Sequence, residues 1–186
     1  DPFGRSVEYV RLSVTDRCDL RCFYCLPGDY REFSEPEEWL TFSEIERVIS
    51  AFVSVGVSRV RITGGEPLVR KNLPALASRL AAIPELEDLS LSTNAVALAR
   101  HAEALHQAGI GRINVSLDSL RAARFREITR GRLDKVLDGL MAAKRVGFEP
   151  IKINIVVMQG VNDDEVEDMV EFCIAHDFTL RLIETM

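Results

Sequence analysis

Six short runs along the chain alternate apolar and polar residues with a period of two, and runs of helical period fill the spaces between them. In the first run Val10, Leu12 and Val14 share one side and Arg11 and Ser13 the other. The same split sets Val60 and Ile62 against Arg59, Arg61 and Thr63, and Leu89 and Leu91 against Ser90 and Ser92. It recurs as Ile113 and Val115 against Arg112, Asn114 and Ser116, and as Ile151, Ile153 and Ile155 against Lys152 and Asn154. The pattern predicts strands over Tyr9–Val14, Arg59–Thr63, Leu89–Thr93, Arg112–Leu117, Ile151–Met158 and Thr179–Glu184. The capping box Thr41-Phe42-Ser43-Glu44 opens a helix whose apolar positions are Ile45, Val48, Ile49, Phe52 and Val53. Further helices are expected near Leu73–Ala82, Leu98–Ala108 and Ala122–Val146, the last interrupted around Gly131. Asn162-Asp163-Asp164-Glu165 is expected to cap a final helix running to about His176.

Strand alternating with helix implies parallel pairing through right-handed crossovers. Parallel strands covered by helices on both faces read as continuous apolar runs, and these do not. One face packs on helices, so the other lines something wet or ligand-filled. The expected fold is therefore α/β, a partial (β/α)6 TIM-like barrel of parallel strands with outer helices. Its polar rows carry Arg11, Arg59, Arg61, Arg112, Lys152 and Arg181, with Asp118 the acid at a strand end. Arg59 and Arg112, at strand starts, are expected to reach solvent. Arg11, Arg61 and Lys152 are expected to point inward and bind an anion, since a buried cation without a partner is costly.

Composition fits this picture. The 186 residues are 47 % hydrophobic and 28 % charged, as in an ordinary single domain. No apolar run approaches the roughly 18 residues that span a bilayer, so no membrane association is expected. The formal charge of −6 argues against a nucleic-acid or anionic-membrane surface. Four cysteines, three of them crowded together, suit a reducing cytoplasmic setting better than a secreted disulfide framework. The chain opens on Asp1 and closes on Met186, and both ends read as cuts within a longer protein.

The crowded cysteines, Cys18, Cys22 and Cys25, form C-x3-C-x2-C just after the first strand. Three thiolates from one loop can hold three irons of a 4Fe–4S cluster and leave the fourth without a protein ligand. A zinc site, which normally takes four N/S ligands, and plain core cysteines remain open alternatives. Gly64-Gly65-Glu66-Pro67 follows the second strand, on the same expected rim. Its glycines would let backbone carbonyls approach a ligand ammonium and Glu66 would add negative charge; the plain alternative is a strand-to-helix turn.

Cysteine spacing and Gly-Gly-Glu-Pro turn together resemble the radical S-adenosylmethionine (SAM) superfamily. Within it, residues 11–18, 61–68 and 114–118, with Gly160-Val161-Asn162-Asp163 and Arg181-Leu182-Ile183-Glu184, resemble the GTP 3′,8-cyclase family of molybdenum-cofactor biosynthesis (the molybdenum cofactor biosynthesis protein A family). The resemblance implies that Cys18, Cys22 and Cys25 hold the cluster and that SAM chelates its open iron. It implies SAM contacts at Tyr24, Gly65, Ser116 and Met186, and GTP contacts at Arg11, Arg61, Ser92 and Lys152, with Arg61 and Lys152 also serving catalysis. The implied reaction is a lyase-type cyclisation. A 5′-deoxyadenosyl radical takes hydrogen from the ribose 3′ carbon of GTP, giving (8S)-3′,8-cyclo-7,8-dihydroguanosine 5′-triphosphate. Implied partners are a reductant such as flavodoxin or ferredoxin, the next pathway enzyme, cyclic pyranopterin monophosphate synthase, and, left open, a second copy in a homodimer.

Some positions depart from the family. Ser92 stands where Thr is usual, Asp19 where Asn is common and Ala95 where Gly is usual. The second cluster, which the family carries on three C-terminal cysteines, has no counterpart here. Residues 1–186 are therefore read as a single partial-barrel domain lacking that C-terminal segment, inactive or uncoupled alone. Cys173 is no substitute, because it shares an apolar helical stripe with Val166, Met169 and Val170. His101, His106 and His176 have no ligand-like spacing and are expected at surface or capping positions. The competing readings are a radical SAM enzyme acting on a peptide or another small molecule, and a non-catalytic zinc-binding domain.

Overall fold

The computed structural model describes residues 4, 6–25, 29–30, 32–34 and 36–184. Alternation becomes a single six-stranded parallel sheet in chain order: β1 (Tyr9–Ser13), β2 (Arg59–Thr63), β3 (Asp88–Thr93), β4 (Arg112–Ser116), β5 (Ile151–Val157) and β6 (Thr179–Glu184). Among the described residues β1 and β6 are its two edges, so the barrel is open. The helices are α1 (Phe42–Val53), α2 (Leu73–Ala81), α3 (Leu98–Gln107), α4 (Ala122–Thr129), α5 (Leu133–Val146) and α6 (Val166–His176).

Register sets the polar residues in rows across the sheet. Arg11 pairs with Arg61, Arg61 with Ser90, and Ser90 with Arg112. Ser92, Asn114, Lys152 and Thr179 form a second row, and Ser116, Asn154 and Arg181 a third. The opposite face packs on the helices: Val60, Ile62, Leu91, Val115, Ile153 and Ile155 are fully buried against Leu76, Leu80, Leu98, Leu105, Val136 and Leu140. Each core leucine or isoleucine buried this way contributes about 1.5–3 kcal/mol. Cys173 lies in this core, 2 % exposed, beside Met169, as its helical stripe predicts.

Local sequence accounts for most element ends. Thr41 and Glu44 make the reciprocal capping box of α1. The long helical region breaks where Arg130 turns left-handed (φ 60°), separating α4 from α5. One expectation fails. Residues 162–165 do not cap α6 with their side chains; Asn162 and Glu165 turn inward instead. Glu165, fully buried, accepts from Ser119 Oγ, the Leu120 amide and Arg124, tying α6 to the loop after β4. The histidines also differ from simple surface groups: His106 meets Phe148 edge-on at 5.2 Å, and His176 stacks on Phe178 at 5.6 Å.

The α3–α5 contact requires Gly139. A Cβ there would run into the Ala95 carbonyl oxygen and stand 3.1 Å from Leu98 Cβ. Gly139→Ala should gain helix propensity of about 1 kcal/mol and lose more to overpacking, which costs about 1–3 kcal/mol. A net fall in thermal midpoint is expected, read by circular dichroism; an unchanged or raised midpoint would contradict this packing.

Candidate active site

The rim at the carboxyl ends of the strands is built by two segments that extend the β1–β2 pairing beyond the strands. The Val14 amide donates to the Thr63 carbonyl at 2.9 Å, Gly65 N–H to Thr15 O at 2.8 Å, and Glu66 N–H to Arg17 O at 2.8 Å. Both glycines are needed for this approach. A Cβ on Gly64 would collide with the Thr15 carbonyl oxygen, and one on Gly65 would stand 2.6 Å from the Asp16 carbonyl oxygen. The glycines thus seat the chain that leads into Cys18, and both also line the cavity.

Glu66 also departs from expectation. Its carboxylate is fully buried and faces away from the cavity, accepting from Leu68 N–H (3.0 Å), Thr93 Oγ1 (2.7 Å) and Asn94 N–H (2.6 Å). Burial pushes its pKa up to about 7 against the pull of those donors. Its work is to lock the end of β3 to the turn after β2.

Two more anchors hold the cysteine loop. The Arg21 and Phe23 amides donate to the Thr129 and Ile128 carbonyls at the end of α4, at 2.9 and 3.1 Å. Arg21 folds back on the loop, its guanidinium donating to the Cys18 and Leu20 carbonyls. From the end of β3, Asn94 Nδ2 donates to Asp19 Oδ1 at 2.7 Å and reaches Cys18 Sγ at 3.8 Å. On the outer side, Arg70 donates to the Val14 and Leu40 carbonyls and covers Trp39 and Phe42. Neither Asn94 nor Arg70 carries a local signal of this role; Asn94 directly follows β3, and Arg70 follows the short turn Pro67–Val69.

Inside the rim lies a cavity of about 590 Å³. Cys18, Cys22 and Cys25 line one side of it, with Tyr24 and Gly65. Arg11, Arg61 and Arg181 line it from below, and Ser92, Ser116 and Asn154 from the strand face. The structure therefore brings together every site residue expected from the sequence except two. Lys152 holds the same face of β5 as Asn154, one register row away, but is not part of the cavity lining. Met186 lies outside the described residues. Arg59 pairs with Glu8 near solvent, as its strand-start position suggested, whereas Arg112 is partly buried and pairs with Asp88.

Electrostatics sort the two ends of the cavity. Burial lowers the pKa of the Arg61 guanidinium, and the neighbouring charges of Arg112, Arg181 and Arg11 add to the effect. Its face lies over the Tyr9 ring at 5.3 Å, and its Nε donates to Ser90 Oγ. At the rim, burial pushes the Cys22 thiol up to about 12 and raises Cys18. Tyr24 Oη donates to Asp118 Oδ2 at 2.6 Å, and Asp118 Oδ1 accepts the Val156 amide at 2.9 Å. Asn162 supports both loops, donating to the Asp118 and Val156 carbonyls and accepting from the Met158 amide. Among the described residues Asn154 Oδ1, buried, has no hydrogen-bond partner, an acceptor left for a ligand donor.

The donor set fits an iron–sulfur cluster. Among the described residues no group of three or more His, Cys, Asp or Glu side chains converges tightly enough to hold a single metal ion. A 4Fe–4S cluster takes each thiolate on a different iron, so three sulfurs spread along one wall suit it where a tetrahedral zinc would need four closing on a point. Among the described residues no helix is long and apolar enough to cross a membrane.

Comparison with known proteins agrees. The radical SAM superfamily model matches residues 12–173. A GTP 3′,8-cyclase of Listeria welshimeri is 51 % identical over the whole of this chain and 56 % of its own length, and GTP 3′,8-cyclase 2 of Pseudomonas aeruginosa matches to the same extent. The chain thus spans little more than half the length of these curated relatives. Among solved structures, Streptococcus suis SuiB bound to S-adenosylmethionine superposes with a TM-score of 0.81 at 21 % identity, over 96 % of this chain and 41 % of SuiB. With the family match running from within β1 into the last turns of α6, the chain belongs to the radical SAM superfamily, and that membership implies a 4Fe–4S cluster and SAM as the cofactors of its chemistry.

Proposed function

We propose that this chain is the catalytic barrel of a GTP 3′,8-cyclase, a lyase that converts GTP to (8S)-3′,8-cyclo-7,8-dihydroguanosine 5′-triphosphate in molybdenum-cofactor biosynthesis. The observation that carries the reading is one cavity lined both by the three rim thiols and by Arg11, Arg61 and Arg181, two of which act on the third. Identity of about half to curated cyclases over the full chain supports it.

In this reading Cys18, Cys22 and Cys25 hold the cluster. When bound, it supplies the electron that splits SAM reductively into methionine and a 5′-deoxyadenosyl radical. The protein's own share is binding and orientation. Tyr24, Gly65, Ser116 and Met186 contact SAM. Arg11, Arg61, Ser92 and Lys152 contact GTP, the guanidiniums giving charge-assisted and partly bidentate hydrogen bonds to the triphosphate. Arg61 and Lys152 thereby fix the ribose against the reacting carbon, converting a bimolecular encounter into an oriented one.

The curated relatives are longer than this chain, and residues 1–186 are read as one unit of a larger enzyme whose second cluster would lie on a further C-terminal segment. A flavodoxin- or ferredoxin-type reductant, cyclic pyranopterin monophosphate synthase as next enzyme, a cytoplasmic setting and homodimer formation complete the proposal. Action on a peptide is less well supported, because a cavity floored by several arginines matches a polyanion better than a peptide.

The deciding experiment is anaerobic reconstitution with SAM, GTP and reductant. The chain should take up one cluster, bind GTP and cleave SAM while making little cyclised nucleotide; cluster uptake and SAM cleavage with no affinity for GTP would leave only the superfamily assignment. Replacing Cys18, Cys22 or Cys25 singly by Ala should abolish both iron–sulfide content and 5′-deoxyadenosine release, and a variant that keeps both would remove that residue from the ligand set. Arg61→Ala should weaken GTP binding about 10- to 100-fold, the loss of one charge-assisted contact of about 1.5–3 kcal/mol, with SAM cleavage retained. Equilibrium titration with GTP checks this, and an unchanged affinity would place the triphosphate elsewhere.

A further inference from the structure

Among the described residues, Cys18 is the rim thiol that two N–H groups reach: the Leu20 amide at 3.4 Å and Asn94 Nδ2 at 3.8 Å. The second contact comes from a side chain fixed on every side. Asn94 is 8 % exposed, and its backbone N–H is held by the buried Glu66 carboxylate at 2.6 Å. Its Oδ1 accepts the Val96 amide at 3.0 Å. An amide oxygen committed to an N–H donor leaves the NH2 end no choice of direction, so the orientation of the side chain follows from its partners. The two Nδ2 protons then face Asp19 Oδ1 and Cys18 Sγ.

That placement matters for charge. Asp19 Oδ1 lies 4.0 Å from Cys18 Sγ. With the thiol deprotonated, its proton released to solvent, and held as a thiolate ligand, carboxylate and sulfur would both be negative, and the Asn94 amide is the donor set between them. Hydrogen bonds to cluster sulfurs favour the reduced, more negative state and so raise the potential.

We propose that Asn94 is a positioning residue that raises the reduction potential of the cluster, through an amide N–H aimed at Cys18 Sγ. The inference rests on the reading of Cys18 as a cluster ligand and adds to it a determinant of how readily the electron for SAM cleavage is taken up.

The test is an anaerobic redox titration of the reconstituted chain, followed by electron paramagnetic resonance, without SAM or GTP. Asn94→Asp keeps an oxygen acceptor for the Val96 amide but removes the donor, and Asn94→Ala removes the whole amide. Both should load iron and sulfide to the wild-type level with a lowered midpoint. At the wild-type midpoint the ratio of reduced to oxidised cluster should fall about tenfold, which is 59 mV for a one-electron couple. A full cluster content with an unshifted midpoint in both variants overturns the proposal, as does loss of the cluster in both, which would mean that Asn94 only builds the loop. A wild-type chain that takes up no cluster overturns the cysteine reading itself, and this inference with it.

Discussion

Thr15, Asp16 and Arg17 run so close to Gly64 and Gly65 that neither of those two positions has room for a Cβ. Everything at the rim follows from that approach. The hydrogen bonds from Gly65 to Thr15 and from Glu66 to Arg17 continue the parallel ladder past the last strand residues, and so fix where the cysteine loop begins. The same turn swings the Glu66 carboxylate into the protein, where it gathers the hydroxyl of Thr93 and the amide of Asn94. A buried carboxylate is tolerable only with such donors, and here they are the last residue of β3 and the first of the loop after it. One backbone contact therefore sets the relative positions of the loops after β1, β2 and β3.

The opposite end of the cavity obeys a different constraint. Arg112, Arg181 and Arg11 stand close enough to act on Arg61, and burial disfavours the Arg61 charge more than they do. Hydrogen bonding to Ser90, the Tyr9 ring and the Asp88–Arg112 pair relieve part of this. They do not cancel it, and an anion of several charges would. Local frustration of this kind is expected at a binding site and nowhere else in a well-packed barrel. The same cavity is lined by thiols, small polar groups and fixed cations.

Much of this was legible in the residue pattern, and the exceptions share a cause. Alternation within each strand distinguished a hollow barrel from a doubly covered sheet, and strand limits agree within one residue at most ends. The cavity-facing residues Arg11, Arg61, Ser92 and Ser116 follow from the same parity. What escaped were side chains whose partners are distant in sequence. Asn162 and Glu165 carry the residue types of a helix cap, but their acceptors and donors bind the loop after β4, more than 40 positions away. Glu66 reads as a ligand-facing charge until Thr93 and Asn94 are placed beside it. A carboxylate or carboxamide has the same local signature in either role, and tertiary context alone chooses between them.

The break between α4 and α5 shows how far fold and site are joined. A helix end leaves its last carbonyls without partners. In α4 two of these, on Ile128 and Thr129, receive the amides of Phe23 and Arg21 from the cysteine loop. Had the helix continued through Arg130 and Gly131, those carbonyls would have been consumed internally and the loop would have lost its support on that side. Gly131 meets the same requirement sterically, since a Cβ there would stand 2.5 Å from Leu20 Cδ2. The interruption is thus a socket. With β2 on one flank, Asn94 at the end of β3 on another and the end of α4 on the third, the thiol-bearing segment is held on three sides by backbone and side-chain contacts of the fold itself.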